Sequence, residues 1–224
     1  ATHPGCAPLY CSGTQSHQEA PRGLMDEGLV NWLASVSNDP FAYVMGAFPW
    51  AEPGGRLENS KGPEPWQEAQ LKRIRDALAK GVSAQTAIQE ATASGHGVGK
   101  SSLVSWLIKW AIDTKPDTRG VVTANTETQL KTKTWAELGK WHALSITKDV
   151  FKLTATRYHH PEYELTWRMD MVPWSERTTE AFAGLHNQGR RILLVFDEAS
   201  AIPDMIWETS EGALTDKDTQ ILWL

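Results

Sequence analysis

Residues Ser94-Gly95-His96-Gly97-Val98-Gly99-Lys100-Ser101 place three glycines in five positions immediately before Lys-Ser. Directly after them, Leu103, Trp106, Leu107, Trp110 and Ala111 recur at helical spacing. Few folds accommodate that sequence. Glycines allow backbone N–H groups to turn inward, and a helix opening at the end of the loop adds the positive end of its dipole, so the two together form an anion cradle. The spacing is that of a phosphate-binding loop, relaxed by one small residue because Ser94 stands where the strict pattern has Gly. Residues 94–102, Ser102 included, are therefore the expected phosphate contacts, with Lys100 reaching the outer phosphates and Ser101 offering its hydroxyl to Mg²⁺.

A second constraint lies far downstream. Ile192-Leu193-Leu194-Val195-Phe196 is a continuous apolar run, the pattern of a parallel strand covered on both faces, and it ends in Asp197-Glu198. Such a strand delivers its terminal carboxylates to the carboxyl edge of a sheet, where open α/β folds bind ligands. Asp197 is the expected Mg²⁺ holder and Glu198 the residue that orients and deprotonates an attacking water, with Lys100 completing the catalytic set. A Gly-rich turn or an acidic strand end is common in isolation; the two together read as ATP hydrolysis. No Asn-Lys-x-Asp guanine signature occurs, which favours ATP over GTP. Gln67, beside Trp66 and upstream of the loop, is the candidate for reading adenine N6 and N7 through its amide.

Around these motifs, Leu24–Val36 is expected to be a helix that ends at Asn38-Asp39-Pro40, with a short helix at Phe41–Phe48 and a Gly/Pro-rich loop from Pro49 to Pro65. Pro65 opens a helix with Leu71, Ile74 and Leu78 on one face and Gly81 as its stop. Strands are expected at Gly120–Ala124, Phe151–Ala155, Glu162–Trp167 across a His-Pro turn, Thr179–Leu185 and Thr219–Leu224, and helices at Glu127–His142 and Asp204–Leu214. Strands alternating with helices imply an α/β fold built on a doubly wound, mostly parallel sheet flanked by helices. Residues 1–22 read as a flexible tail, 23–62 as a helical preface with its loop, and 63–224 as the ATPase domain, cut short at its C-terminal end because the chain stops inside a strand.

Composition removes several classes. At 41% hydrophobic and 22% charged residues the chain is globular, and a net charge of −5 gives no overall attraction to a polyanion. No apolar run approaches the roughly 20 residues of a membrane helix, and the N-terminus lacks the basic and apolar regions of a signal peptide, so the expected setting is intracellular, neither secreted nor membrane-bound. Cys6 and Cys11 make neither a disulfide framework nor a complete metal site, and His159-His160 with His186 lack the acidic or thiol companions of a zinc centre. Eleven tryptophans are read as core or interface anchors. Lys131, Lys133 and Lys140 are read first as a solvated helix face and second as a surface for a phosphate backbone.

Together with Ala47-Phe48-Pro49-Trp50, Gly62-Pro63-Glu64-Pro65-Trp66-Gln67 and Thr123-Ala124-Asn125-Thr126-Glu127-Thr128-Gln129-Leu130, these motifs resemble the ATPase domain of bacteriophage terminase large subunits over about residues 24–224. The resemblance implies a P-loop NTPase with a helicase-like core. It implies ATP and Mg²⁺ as cofactors, double-stranded viral DNA packaged into a procapsid, a homo-oligomeric ring, portal and small terminase subunit as partners, and the cytoplasm of an infected bacterium as the setting. It adds weight to Gln67 as the adenine reader and makes Asn125, Thr126 and Gln129 candidates for coupling or DNA contact, against a plain helix cap at Thr126. The family's coupling motif and nuclease domain are expected beyond Leu224. An arginine finger is expected among Arg157, Arg168, Arg190 and Arg191 or from a neighbouring subunit. A helicase or translocase core and a non-catalytic ATP-binding assembly module are the alternative readings.

Overall fold

A computed structural model describes residues 26–80, 87–92, 95, 97–124, 126–173, 185, 187, 189–197, 199 and 208, and the backbone of 220–223. The helical preface is α1 (Glu27–Ser35) and α2 (Pro40–Ala47), each started by an aspartate whose side chain accepts a backbone N–H: Asp26 from Gly28 and Asp39 from Ala42. Helix α3 (Pro65–Ala79) has Pro65 in its first turn and a reciprocal capping box between Glu64 and Gln67. Leu71, Ile74 and Leu78 are buried as the spacing requires. A two-residue strand, β1 (Ile88–Gln89), precedes the glycine loop; it is too short to leave a periodic signal in the sequence.

Helix α4 (Lys100–Thr114) is the centre of the molecule. The expected amphipathic stripe is buried, and so is every residue from Ser105 to Thr114, because α1, α2 and the helix after the next strand pack around it while its remaining face lies on the sheet. Trp106 and Trp141 meet edge to face at 4.8 Å, with Trp50 and Phe48 against them, which ties the Pro49–Pro65 loop to α4. The strands β2 (Arg119–Thr123), β5 (Arg168–Met171), β6 (Arg191–Phe196) and β7 (Gln220–Trp223) join β1 in the parallel order β1-β7-β6-β2-β5. A hairpin of β3 (Lys152–Leu153) and β4 (Arg157–His159) adds to β5 antiparallel, so the sheet is mixed. Helices α1, α2 and the helix after β2 pack on α4, α3 packs on α2 and β1, and the mixed sheet is not the doubly wound parallel one expected.

Two expectations change. Glu162–Trp167 is a run of turns, and the hairpin instead reverses at Thr154–Thr156, where Thr154 exchanges hydrogen bonds with Arg157. His160 is drawn off the strand path by stacking on Trp167, with centroids 4.8 Å apart and planes 6° from parallel. The helix expected at Glu127–His142 is α5 (Glu127–Gln129), a π-helical segment (Leu130–Trp135) and α6 (Ala136–Leu144) in one continuous path. Apart from the single residues Leu185 and Glu208, the strand and helix expected at Thr179–Leu185 and Asp204–Leu214 lie outside the described residues, as do the stop at Gly81, the pair Cys6 and Cys11, and His186.

Candidate functional site

Because β1, β6 and β2 run parallel, the segments that follow them emerge at one edge of the sheet, with β7 interposed between β1 and β6. After β1 the chain turns through Gly97 (φ 77°) and Gly99 (φ 91°), both in the left-handed region that costs a side chain about 1–2 kcal/mol. Gly99 caps α4, and no side chain caps the helix in its place. A Cβ added at Gly95 or Gly97 would meet nothing within 4 Å, so the loop borders open space. An uncapped helix start beside open space is where an anion binds most readily.

That space is a cavity of about 400 Å³. Gly97, Gly99, Lys100, Ser101 and Ser102 form one wall, and Asp197, immediately after β6, forms the second. The third is the helix after β2, which contributes Lys133 and Glu137. Asp197 is fixed at both ends: its N–H donates to Thr123 O at 2.9 Å, and its Oδ2 accepts the Thr134 hydroxyl. Glu137 accepts from Ser102 Oγ at 2.8 Å and from Trp141 Nε1 at 3.0 Å, and pairs with Lys140. Burial pushes the Glu137 carboxyl up, but the hydrogen bonds from Lys140, Ser102 and Trp141 outweigh it and hold it below its usual value. Two lysines, two serine hydroxyls and a pinned carboxylate around a cradle of this size suit a polyphosphate with a hard cation.

No protein-family model matches the chain. A protein described as "Probable terminase, large subunit", of Enterobacteria phage P7, is 29% identical over 136 residues, 58% of this chain and 27% of that protein. Over that stretch the chain is similar to a phage terminase large subunit. It spans about a quarter of the length of that relative. A solved large terminase from a thermophilic bacteriophage aligns with 58% of this chain and 31% of its own, at a TM-score of 0.43 and 12% identity, too loose an overlay to carry a fold assignment.

Of the residues singled out in the sequence, Gly97, Gly99, Lys100, Ser101, Ser102 and Asp197 meet around one cavity. Val98 is in the same turn and is 39% exposed. Ser94, His96, Asn125 and Glu198 lie outside the described residues. Gln67 reaches the loop: its Nε2 donates to Gly99 O at 2.8 Å while its Oε1 accepts from Glu64 N–H at 2.8 Å. Its amide thus joins the start of α3 to the start of α4. Thr126 caps α5, accepting from Gln129 N–H at 3.1 Å, and the Gln129 Oε1 is buried with no partner.

The four arginines divide clearly. Arg157 and Arg168 are paired with Asp170, Arg190 pairs with Asp117, and Arg191 is buried against the Trp110 ring with hydrogen bonds to Ala111 O and Thr114 Oγ1. Burial lowers the Arg191 pKa to about 9. Arg191, the first residue of β6, is a packing residue against α4. Lys131 and Lys140 pair with Glu127 and Glu137 on the solvated face, whereas Lys133 turns to the cavity. In the sequence Lys133 reads as surface, and Thr134 and Glu137 carry no motif at all. The one signal for Thr134 is a polar residue between Leu130 and Leu138, four positions from each on the inward row. Among the described residues, no group of three or more His, Cys, Asp or Glu is placed to hold a metal ion, and no helix is long and apolar enough to cross a membrane.

Proposed function

We propose that the cavity binds ATP with Mg²⁺ and that the chain hydrolyses it, as the motor portion of a terminase large subunit that drives double-stranded viral DNA into a procapsid. The observation that carries this reading is the convergence of Lys100, Ser101 and Asp197, remote in sequence, on one cavity at the carboxyl edge of parallel strands. The loop amides and the α4 dipole receive the phosphates, and Lys100 neutralises the outer two. Ser101 and Asp197 would hold the cation's shell, and a bound cation would supply charge neutralisation. Glu198, next in the chain to Asp197, orients the attacking water and takes its proton.

Gln67 reads adenine in this scheme by exchanging the Gly99 carbonyl for the base edge, which couples base recognition to the loop it now braces. Thr126 and Gln129 lie at the start of the helical path that becomes the cavity wall, and with Asn125 they are the residues we assign to coupling or DNA contact. A homo-oligomeric ring, contacts with portal and small subunit, and the host cytoplasm as the setting complete the proposal. The named relative supports packaging, and the cavity supports the ATP chemistry.

The test is ATP binding and turnover by the full-length protein. Glu198→Gln is expected to keep nucleotide binding and lose turnover by about 100-fold or more. Lys100→Ala is expected to lose binding. Wild-type protein that does not bind ATP, or a Glu198→Gln variant that turns over normally, overturns the reading.

A further inference from the structure

The third wall of the cavity is an irregular helix. From Leu130 to Trp135 its hydrogen bonding widens to a π turn, a feature found frequently at functional sites when it interrupts α-helix. Leu130, Thr134 and Leu138 form its inward row, and none of the three has any solvent exposure. The outer two are packed in the apolar core; the middle one is a hydroxyl given to Asp197 Oδ2. One turn further on, Glu137 holds Ser102 beside the loop. A single helical path therefore touches both the phosphate loop and the carboxylate opposite it.

We propose that Thr134 is a positioning residue for Asp197: its hydroxyl pins one carboxylate oxygen and leaves the other for the Mg²⁺ shell. This rests on the reading of the cavity as a Mg²⁺-nucleotide site. An aspartate at a strand end turns about two side-chain torsions, and a β-branched, fully buried threonine is a stiff donor to hold it. Outer partners that orient a metal's carboxylate ligands typically change metal affinity or activity by about 10–100-fold when removed. The backbone bond from Asp197 N–H to Thr123 O fixes the main chain only, so the orientation of the carboxylate falls to Thr134.

The experiment measures, in the full-length protein, the Mg²⁺ concentration that half-saturates binding of a non-hydrolysable ATP analogue, and binding of the same analogue in EDTA. Thr134→Val is expected to raise the Mg²⁺ midpoint about 10-fold while leaving the EDTA value unchanged, and Thr134→Ser to restore the midpoint. A packing role predicts the reverse order, with Val tolerated and Ser defective. In an Asp197→Asn background Thr134→Val is expected to shift the midpoint no further, and a denaturation cycle on the same four proteins without metal or nucleotide is expected to show coupling between the two sites. An unchanged midpoint in Thr134→Val, an equal shift in both backgrounds or Ser behaving worse than Val overturns the proposal. Should Thr134→Val not fold, Thr134→Ser decides: a wild-type midpoint supports the hydroxyl role and a raised one overturns it. Wild-type protein that fails to bind the analogue with Mg²⁺ overturns the nucleotide reading itself and this proposal with it, while the metal-free cycle still reports the Thr134–Asp197 pairing on its own.

Discussion

Helix α4 carries a lysine and hydroxyl or carboxylate partners toward each end, and the two ends differ in what surrounds them. At its start, Lys100, Ser101 and Ser102 face a cavity of about 400 Å³ that Asp197 closes from β6. In its second half, Lys109 and Asp113 are 3.2 Å apart with side chains wholly excluded from solvent. Asp113 Oδ1 accepts the Tyr158 hydroxyl, and Oδ2 accepts the hydroxyls of Tyr43 and Thr147, each at 2.6 Å. Lys109 donates to Tyr158 Oη and Thr147 Oγ1. Burial first and the Asp113 charge second push both tyrosine hydroxyls well above their usual range. Similar residue types thus serve as a closed network at one end and as an open cradle at the other, and the difference lies in whether α2, β4 and the turn after α6 supply the partners or leave room for a ligand.

The largest expected effect breaks the closed end. Asp113→Ala strands the buried Lys109 ammonium, which is expected to cost about 3–5 kcal/mol in urea denaturation. Replacing both members with apolar side chains is expected to recover much of that loss, because the penalty belongs to the unpaired charge. Lys100→Ala should cost under about 1 kcal/mol of stability while removing nucleotide binding. Equal stability losses at Lys100 and Asp113 would erase the distinction between the two ends.

The same contrast shows what the sequence could and could not disclose. The glycine loop, the helix after it and Ile192–Phe196 are local patterns, and each lies where its pattern implies. Ser105, Lys109 and Asp113 recur every four residues and look like the polar face of an amphipathic helix, yet all three are buried. Their partners, Tyr43, Thr147 and Tyr158, come from three separate elements, so no window of sequence contains the network. Thr134 and Lys133 are hidden for the same reason, since Thr134 meets Asp197 just after β6 and Lys133 lines a cavity shared with the glycine loop. The hairpin departs from its expected position because the Tyr163, Trp167 and His160 rings pack on one another, an interaction invisible to alternation counting.

A pH titration sharpens the comparison with an intermediate effect. His142 lies 3.4 Å from Lys109 and edge-on to Tyr158; burial first, then the Lys109 charge, push its pKa down from 6.5 to about 4. The native chain therefore keeps His142 neutral while the unfolded chain protonates it at about 6.5. Stability from this group is complete above pH 6.5 and is lost as pH falls toward about 4, by at most about 3 kcal/mol. Glu137, held below its ordinary 4.5, also weakens the protein in acid, but only under that value. His142→Gln is expected to flatten the slope of denaturation free energy between pH 6.5 and 5 and leave the more acidic limb; an unchanged slope would place the titrating group elsewhere.

The smallest expected effect separates the two left-handed glycines of the open end. At Gly97 (φ 77°) a Cβ meets nothing within 4 Å, so Gly97→Ala should cost only the backbone strain, about 1 kcal/mol. At Gly99 (φ 91°) the same methyl would stand 2.8 Å from Gln67 Nε2, an amide that is itself buried and bonded to Glu64 and the Gly99 carbonyl. Gly99→Ala must therefore add a weakened hydrogen bond to the strain, for about 2 kcal/mol in total. In a Gln67→Ala background the obstructing amide is gone, and the two glycine substitutions should become equal. If Gly99→Ala remains about 1 kcal/mol worse without Gln67, the brace between α3 and the loop is not what distinguishes the two positions.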